Sequence, residues 1–304
     1  MPVLPRDPER ILKRLEWTVI RRLDGLLQGD YRSLFRGFGL DFAGLREYQF
    51  QDDYRQIDWN VTARLSEPHV RLFTEDREIT AWFLLDLSPS VDFGSMGVKK
   101  RERLVDFVTI IARLLTKHGN RVASVFFGGK GELVIPPRGG RQHVLRLLTS
   151  LLAQPELPEA KPTDLDALLR DADRIIRRRS LVFVVSDFIS SVPWTAALGR
   201  LALRHELMGI RLFDPLENEM PDIGLVVMRD SESGETVLVD THDRAFRKRF
   251  AALAERREAS LRSNFREAGV DILELSTLDD PVTSIVRFIQ ARRLRSASAG
   301  RRGG

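Results

Sequence analysis

From Thr80 onward, short β-branched or aromatic runs alternate with longer stretches whose apolar residues recur every three to four positions. The first pattern suits strands buried on both faces and the second suits amphipathic helices. Their alternation predicts βαβ units around a mostly parallel sheet flanked by helices, an α/β fold. Strands are expected over 80–86, 121–128, 180–186, 207–213 and 270–275, with a short hairpin of 223–228 and 236–239. Helices should fill the intervals over about 98–118, 140–153, 164–178, 193–205, 242–268 and 281–294. In the first of these, Leu104, Phe107, Val108, Ile111, Leu114 and Leu115 share one face.

Ahead of Thr80 the pattern changes. Ile11, Leu15, Val19, Ile20, Leu23 and Leu26 recur at helical spacing, which predicts an amphipathic helix from Pro8 to about Leu27. Residues 31–79 show little periodicity and read as an irregular polar insert. There Arg46, Glu47, Asp52, Asp53, Arg55, Asp58, Arg64 and Arg71 lie among Tyr48, Tyr54 and Trp59. Charges so balanced in sign are most simply paired with one another, in a network that fixes the insert against the sheet. The expected organisation is therefore 1–79 as N-terminal helix and insert, 80–294 as the α/β domain, and 295–304 as a disordered basic tail.

With 304 residues and 43% hydrophobic content, the chain is long enough for one large domain with an appendage. It has no cysteine, which removes disulfides and thiolate metal sites and fits a reducing compartment. No apolar stretch reaches the roughly 18 residues that span a bilayer, and the start lacks an apolar signal segment. A cytoplasmic location is the expectation. The net charge of +5 does not indicate nucleic acid as a partner once its position is considered. Arg292, Arg293, Arg295, Arg301 and Arg302 account for all of it, and a terminus rich in Ser, Ala and Gly reads as a solvated tail.

Candidate chemistry gathers at the strand ends. The run Ala81-Trp82-Phe83-Leu84-Leu85 ends in Asp86-Leu87-Ser88-Pro89-Ser90, and Leu181-Val182-Phe183-Val184-Val185 ends in Ser186-Asp187. Thr163-Asp164 opens the helix beginning at Leu165. Parallel strands joined by right-handed crossovers leave a crevice at their carboxyl ends, where Asp86 and Asp187 both fall. Hydroxyls with few carboxylates suit Mg²⁺, which takes about six oxygens near-octahedrally and keeps some of its waters. Serine and aspartate at a strand end are also ordinary turn formers and helix caps, and Thr163 also reads as an N-cap.

The order Asp-x-Ser-x-Ser, then Thr, then a strand-end Asp resembles the metal-ion-dependent adhesion site (MIDAS) of von Willebrand factor A domains. That resemblance implies a Rossmann-like fold in which Ser88, Ser90 and Thr163 coordinate Mg²⁺, or Mn²⁺, directly or through water. Asp86 and Asp187 would support them, and a partner's carboxylate would complete the shell. Lys161 and Pro162 precede Thr163 where related sequences often carry glycine.

The upstream segment narrows the resemblance. Gly39-Leu40-Asp41-Phe42-Ala43-Gly44-Leu45-Arg46-Glu47-Tyr48 leads into Asp52-Asp53-Tyr54-Arg55-Gln56-Ile57-Asp58-Trp59-Asn60, then Ala63-Arg64 and Val70-Arg71. This closely resembles the signature of the domain of unknown function 58 family, with Gln51 where relatives usually carry glycine. Those bacterial proteins join the signature to a von Willebrand factor A-like domain and are typically encoded beside MoxR-type AAA+ ATPases.

Enzymatic readings fare less well. The chain has no Gly-x-x-x-x-Gly-Lys-[Ser/Thr], no His-Glu-x-x-His and no Gly-x-Ser-x-Gly, and its histidines are scattered. Gly128-Gly129-Lys130-Gly131 precedes Glu132-Leu133-Val134-Ile135, so it reads as a turn between strands rather than a phosphate loop. The leading expectation is a non-enzymatic, Mg²⁺-dependent protein-interaction module. The resemblance makes it an adaptor or partner of a MoxR-type ATPase in chaperone-like maturation of a client. The alternative is an Mg²⁺-dependent phosphoester hydrolase using the same strand-end acids.

Overall fold

The computed structural model describes residues 7–16, 42–49, 57, 59, 62–63, 67–73, 79–128, 132–156, 164–229 and 236–300. Its centre is a six-stranded sheet of β3 (Thr80–Asp86), β4 (Arg121–Phe127), β5 (Leu133–Arg138), β6 (Leu181–Ser186), β7 (Glu206–Phe213) and β10 (Asp271–Ser276). The spatial order is β10-β7-β6-β3-β4-β5. Every neighbouring pair is parallel except β4 with β5, which is antiparallel. β5 carries Pro136 and Pro137. Proline cannot donate to a ladder, so the sheet edge is where such a strand is tolerated.

Alternation along the central strands fills two cores, one on each face. Phe83, Leu85, Phe183 and Val185 point into the first, with α2 (Lys100–Lys117), α3 (Arg141–Leu152) and α7 (Pro281–Gly300). Trp82, Leu84, Val182 and Val184 point into the second, with α4 (Leu165–Ile175), α5 (Thr195–Arg204) and α6 (Arg244–Ala268). Phe83 and Phe183 stack at 5.2 Å between centroids, and Phe107 of α2 meets Phe183 edge-on at 5.7 Å. Strands buried on both faces read as unbroken apolar runs, which made them legible in the sequence.

The N-terminal helix α1 (Pro8–Leu15) is capped by Asp7, whose side chain accepts from Glu9 N at 3.0 Å. It buries Ile11, Leu12 and Leu15 in the first core, and Arg14 pairs with Asp106 of α2 at 2.7 Å. The helix therefore docks on the body of its own chain. Residues 17–27 of the expected helix lie outside the described residues.

The insert departs from expectation. It holds an antiparallel pair, β1 (Phe42–Glu47) with β2 (His69–Phe73), whose register shifts between Phe42 and Gly44. Gly44, Arg46 and Glu47 in β1 and Arg71 in β2 leave each short segment without a clear period-two signal. Of the proposed ion-pair network, Asp52, Asp53, Arg55, Asp58 and Arg64 lie outside the described residues. A separate hairpin pairs β8 (Leu225–Arg229) with β9 (Thr236–Asp240). At the other end, α7 continues to Gly300, beyond the expected 294, through residues in which no proline interrupts the helix. No helix among the described residues is long and apolar enough to cross a membrane.

Candidate functional site

The carboxyl ends of β3, β6 and β7 deliver Asp86, Asp187 and Asp214 to one rim of the sheet. Asp86 is fully buried, and both its oxygens are engaged. Oδ1 accepts from Ser88 N at 3.0 Å and Oδ2 from Ser186 Oγ at 2.7 Å. Burial, and then the nearby charge of Asp187, push its pKa up to about 6, against the opposing pull of these hydrogen bonds. Asp86 is thus a carboxylate solvated by a hydroxyl and an amide.

After β3 the chain turns through a 3₁₀ segment, Pro89–Asp92, with Pro89 at its start. The turn brings the hydroxyls of Ser88 and Ser90, both buried, to 3.0 Å from each other. Gly128 makes this possible. Its φ of +90° lies in the left-handed region, and a Cβ there would come within 2.9 Å of Ser88 N. The loop is tied down beyond the turn, where Asp92 is paired with Arg101 and Ser95 donates from N and Oγ to Asp214 Oδ2 at 2.7 and 2.9 Å.

Asp187 is held quite differently. Its Oδ1 accepts from Ile189 N at 3.0 Å, and its Oδ2 receives the ammonium of Lys100 at 2.8 Å. The same Nζ lies 2.6 Å from Glu217 Oε1, and Lys100 is 1% exposed. Burial would drain the charge from this lysine, but Asp187 and Glu217 outweigh it and raise its pKa. Glu217 turns its other oxygen to Asp214 N at 3.1 Å, completing a capping box around the 3₁₀ turn Pro215–Glu217. Asp214 also accepts from Thr277 Oγ1 at 2.6 Å and Leu216 N at 3.0 Å. Burial pushes its pKa upward, but these hydrogen bonds with those from Ser95 prevail and leave it lowered. Between Asp187 and Ile189, Phe188 takes φ +60°, uncommon for a bulky residue. A hydrogen bond from its N to Ser186 Oγ at 2.9 Å holds it there.

Of the expected site residues, the structure brings together Asp86, Ser88, Ser90 and Asp187, while Thr163 lies outside the described residues. Its neighbour Asp164 caps α4, accepting from Ala167 N at 2.9 Å. Lys100, Glu217, Asp214 and Ser186 belong to the same cluster and went unread. Lys100 had one local signal: a lysine in the first turn of a helix sits against the macrodipole, which calls for a nearby anion. Among the described residues no three His, Cys, Asp or Glu side chains converge as a metal centre. The available set is hydroxyl-rich instead. Two oxygens at adjacent positions of an Mg²⁺ octahedron lie about 2.9 Å apart, given ligand distances of about 2.05 Å. The Ser88–Ser90 spacing of 3.0 Å fits that requirement, and Asp86 supplies negative charge behind it.

A mostly parallel sheet with one antiparallel edge, helices on both faces and an Asp-x-Ser-x-Ser turn at a central strand end define a von Willebrand factor A-like protein. The chain belongs to the family described as "Protein of unknown function DUF58", whose model matches residues 44–260. It is 38% identical over 289 residues to the "Uncharacterized protein Rv1480" of Mycobacterium tuberculosis, covering 95% of this chain and 90% of that one. An "Uncharacterized protein MAV169" of Mycobacterium avium is 38% identical over 167 residues, 55% of this chain and 98% of its own. Among solved structures, an aerotolerance-related membrane protein from Bacteroides fragilis aligns at 14% identity and TM-score 0.43, over 71% of this chain and 98% of that one. The SpRpn10 VWA domain aligns at 14% identity and TM-score 0.38, over 69% and 94% respectively.

Proposed function

We propose that the chain is a non-enzymatic interaction module whose strand-end site binds Mg²⁺ and, through it, an acidic side chain of a protein partner. The observation that carries this reading is the hydroxyl pair Ser88–Ser90, set at ligand spacing beside a buried carboxylate that has only dipoles for partners. Ser88, Ser90 and, by the family resemblance, Thr163 are the ligands, with Asp86 and Asp187 behind them. Bound Mg²⁺ supplies positive charge and a coordination position for the partner's carboxylate. The protein's own residues orient the hydroxyls. Asp86 fixes Ser88 through its amide, Gly128 admits that amide to the turn, and Lys100 holds Asp187 in place.

An interaction role is supported over hydrolysis by the way the site's hydroxyls and charged groups are engaged with one another. Ser88 Oγ faces Ser90 Oγ, Asp86 is occupied by Ser88 N and Ser186, and Lys100 is enclosed by two carboxylates. Apolar side chains at the rim point the same way, with Met96 85% and Phe93 40% exposed on the loop after the serines. The family resemblance supplies the partner class, a MoxR-type AAA+ ATPase with its client, in the cytoplasm. Co-purification of the chain with a MoxR-type AAA+ ATPase tests it. The complex should form in Mg²⁺, and it should be lost in EDTA and in Ser88→Ala/Ser90→Ala. Retention under both conditions would exclude the metal-bridged contact.

A further inference from the structure

An open sheet edge is a hazard, because its unpaired backbone can recruit another strand. The chain blunts three of its edges. β5 carries Pro136 and Pro137, β10 at the opposite side of the central sheet carries Asp271 and Glu274, and β1 is interrupted by its shifted register with β2. Prolines, charges and bulges are the usual means of such protection. The edge of β9 has none of them. Thr236-Val237-Leu238-Val239 carries no charge and no proline before Asp240 ends the strand, and its pairing with β8 runs without a register shift. Among the described residues no further strand pairs with either member of this hairpin, and four of the five residues of β9 are exposed.

The hairpin is fastened at its base. Thr241 N donates to Gly224 O at 2.9 Å, Ile223 N donates to Thr241 Oγ1 at 3.0 Å, and Asp222 pairs with Arg247 of α6 at 3.0 Å. One face stays apolar and open, with Leu225 and Val227 each 69% exposed and Leu238, opposite Val227, 65% exposed. A two-stranded ribbon is marginal in water, and further strands steady it. The sequence of β9 selects a strand that fits. When two β9 strands run antiparallel about a two-fold axis through Leu238, Leu238 faces its own copy, Val237 faces Val239, and Thr236 faces Asp240. Each apolar residue then meets an apolar one, and the lone charge meets a hydroxyl instead of another carboxylate. The axis stands perpendicular to the sheet, so side chains keep their faces, and Val227, Leu238 and their copies form one apolar row across the joined strands.

We infer that β9 is a homodimerisation edge: two copies of the chain join through it, antiparallel about Leu238, into a sheet ordered β8-β9-β9-β8. The two-fold contact uses the same patch twice and leaves neither β9 edge open. A five-residue edge falls short of the standard interface of about 800 Å² per partner, so the dimer is a reversible one. No residue of the strand-end site takes part, and the inference stands independently of the function proposed above.

Sedimentation equilibrium of the full chain over about 1–100 µM tests it. The weight-average mass should rise from one chain toward two, in EDTA as in Mg²⁺. Leu238→Lys, which sets two ammoniums face to face, should stay monomeric throughout, whereas Leu203→Lys, at an 89% exposed residue of α5, should dimerise as the wild type does. Because the chain has no cysteine, single cysteines report the register. On mild oxidation Leu238→Cys should couple to its own copy, Thr236→Cys should not, and an equal mixture of Thr236→Cys and Asp240→Cys should couple to each other. A wild type that stays monomeric, a Leu238→Lys variant that still dimerises, or self-coupling of Thr236→Cys as fast as that of Leu238→Cys would each overturn the inference.

Discussion

Asp86 and Asp187 stand at the ends of neighbouring central strands, each after an unbroken apolar run, yet the fold treats them in opposite ways. Asp187 is neutralised by an ammonium at 2.8 Å that Glu217 shares. Asp86 receives a hydroxyl and an amide and no cation among the described residues, and its pKa rises to about 6. Equal sequence contexts thus produce one completed ion pair and one carboxylate whose charge is matched only by dipoles. A buried anion of the second kind is costly unless something positive arrives. Under the proposed function, the Asp86–Ser88–Ser90 half is the side of the site that binds, and the Lys100–Asp187–Glu217 half the side that holds.

Breaking the holding half should have the largest effect. Lys100→Met removes the ammonium from two carboxylates and leaves them buried without their counter-ion. A loss of roughly 3–5 kcal/mol of stability is expected, measured by urea denaturation near pH 7. A change within about 1 kcal/mol would mean that Lys100 does not carry the load assigned to it.

The binding half should respond to pH with the opposite sign from a paired carboxylate. In the fold Asp86 keeps its proton up to about pH 6, above its ordinary value of 3.8. Its contribution to stability is therefore full below pH 3.8 and is lost as pH rises through 6. Without divalent metal, stability attributable to this group should fall by about 2–3 kcal/mol from pH 4 to pH 7.5. The trend should vanish in Asp86→Asn. Bound as proposed, Mg²⁺ would compete with the same proton, and its affinity should weaken by up to about tenfold per unit below pH 6. Asp214, with its pKa lowered, contributes stability above its ordinary value that is lost only in stronger acid, which keeps the two titrations apart.

The smallest effect on stability is expected from the hydroxyls. In metal-free buffer Ser88→Ala/Ser90→Ala removes a mutual hydrogen bond and should cost only about 1 kcal/mol.

Much of this was legible in the sequence for a physical reason. The central strands β3 and β6, buried on both faces, are continuously apolar up to their last residues, so their ends, and the acids there, could be read directly. Lys100 could not, because Lys99-Lys100-Arg101-Glu102 looks like a solvated helix start, and its partner Glu217 lies 117 residues away. Asp214 follows a strand broken by Gly209 and Arg211, and its cap role depends on Ser95 and Thr277, which only the folded loops bring near. The β1–β2 pair was hidden because its pairing joins segments more than twenty residues apart.

The most direct test of the central claim is calorimetric titration of Mg²⁺ into the metal-stripped chain and Ser88→Ala/Ser90→Ala at pH 7.5, with acetate standing in for a partner's carboxylate. The account predicts saturable binding to the wild type, strengthened by acetate, and none to the double variant. Equal binding to both, or none to a folded wild type even with acetate, would contradict it.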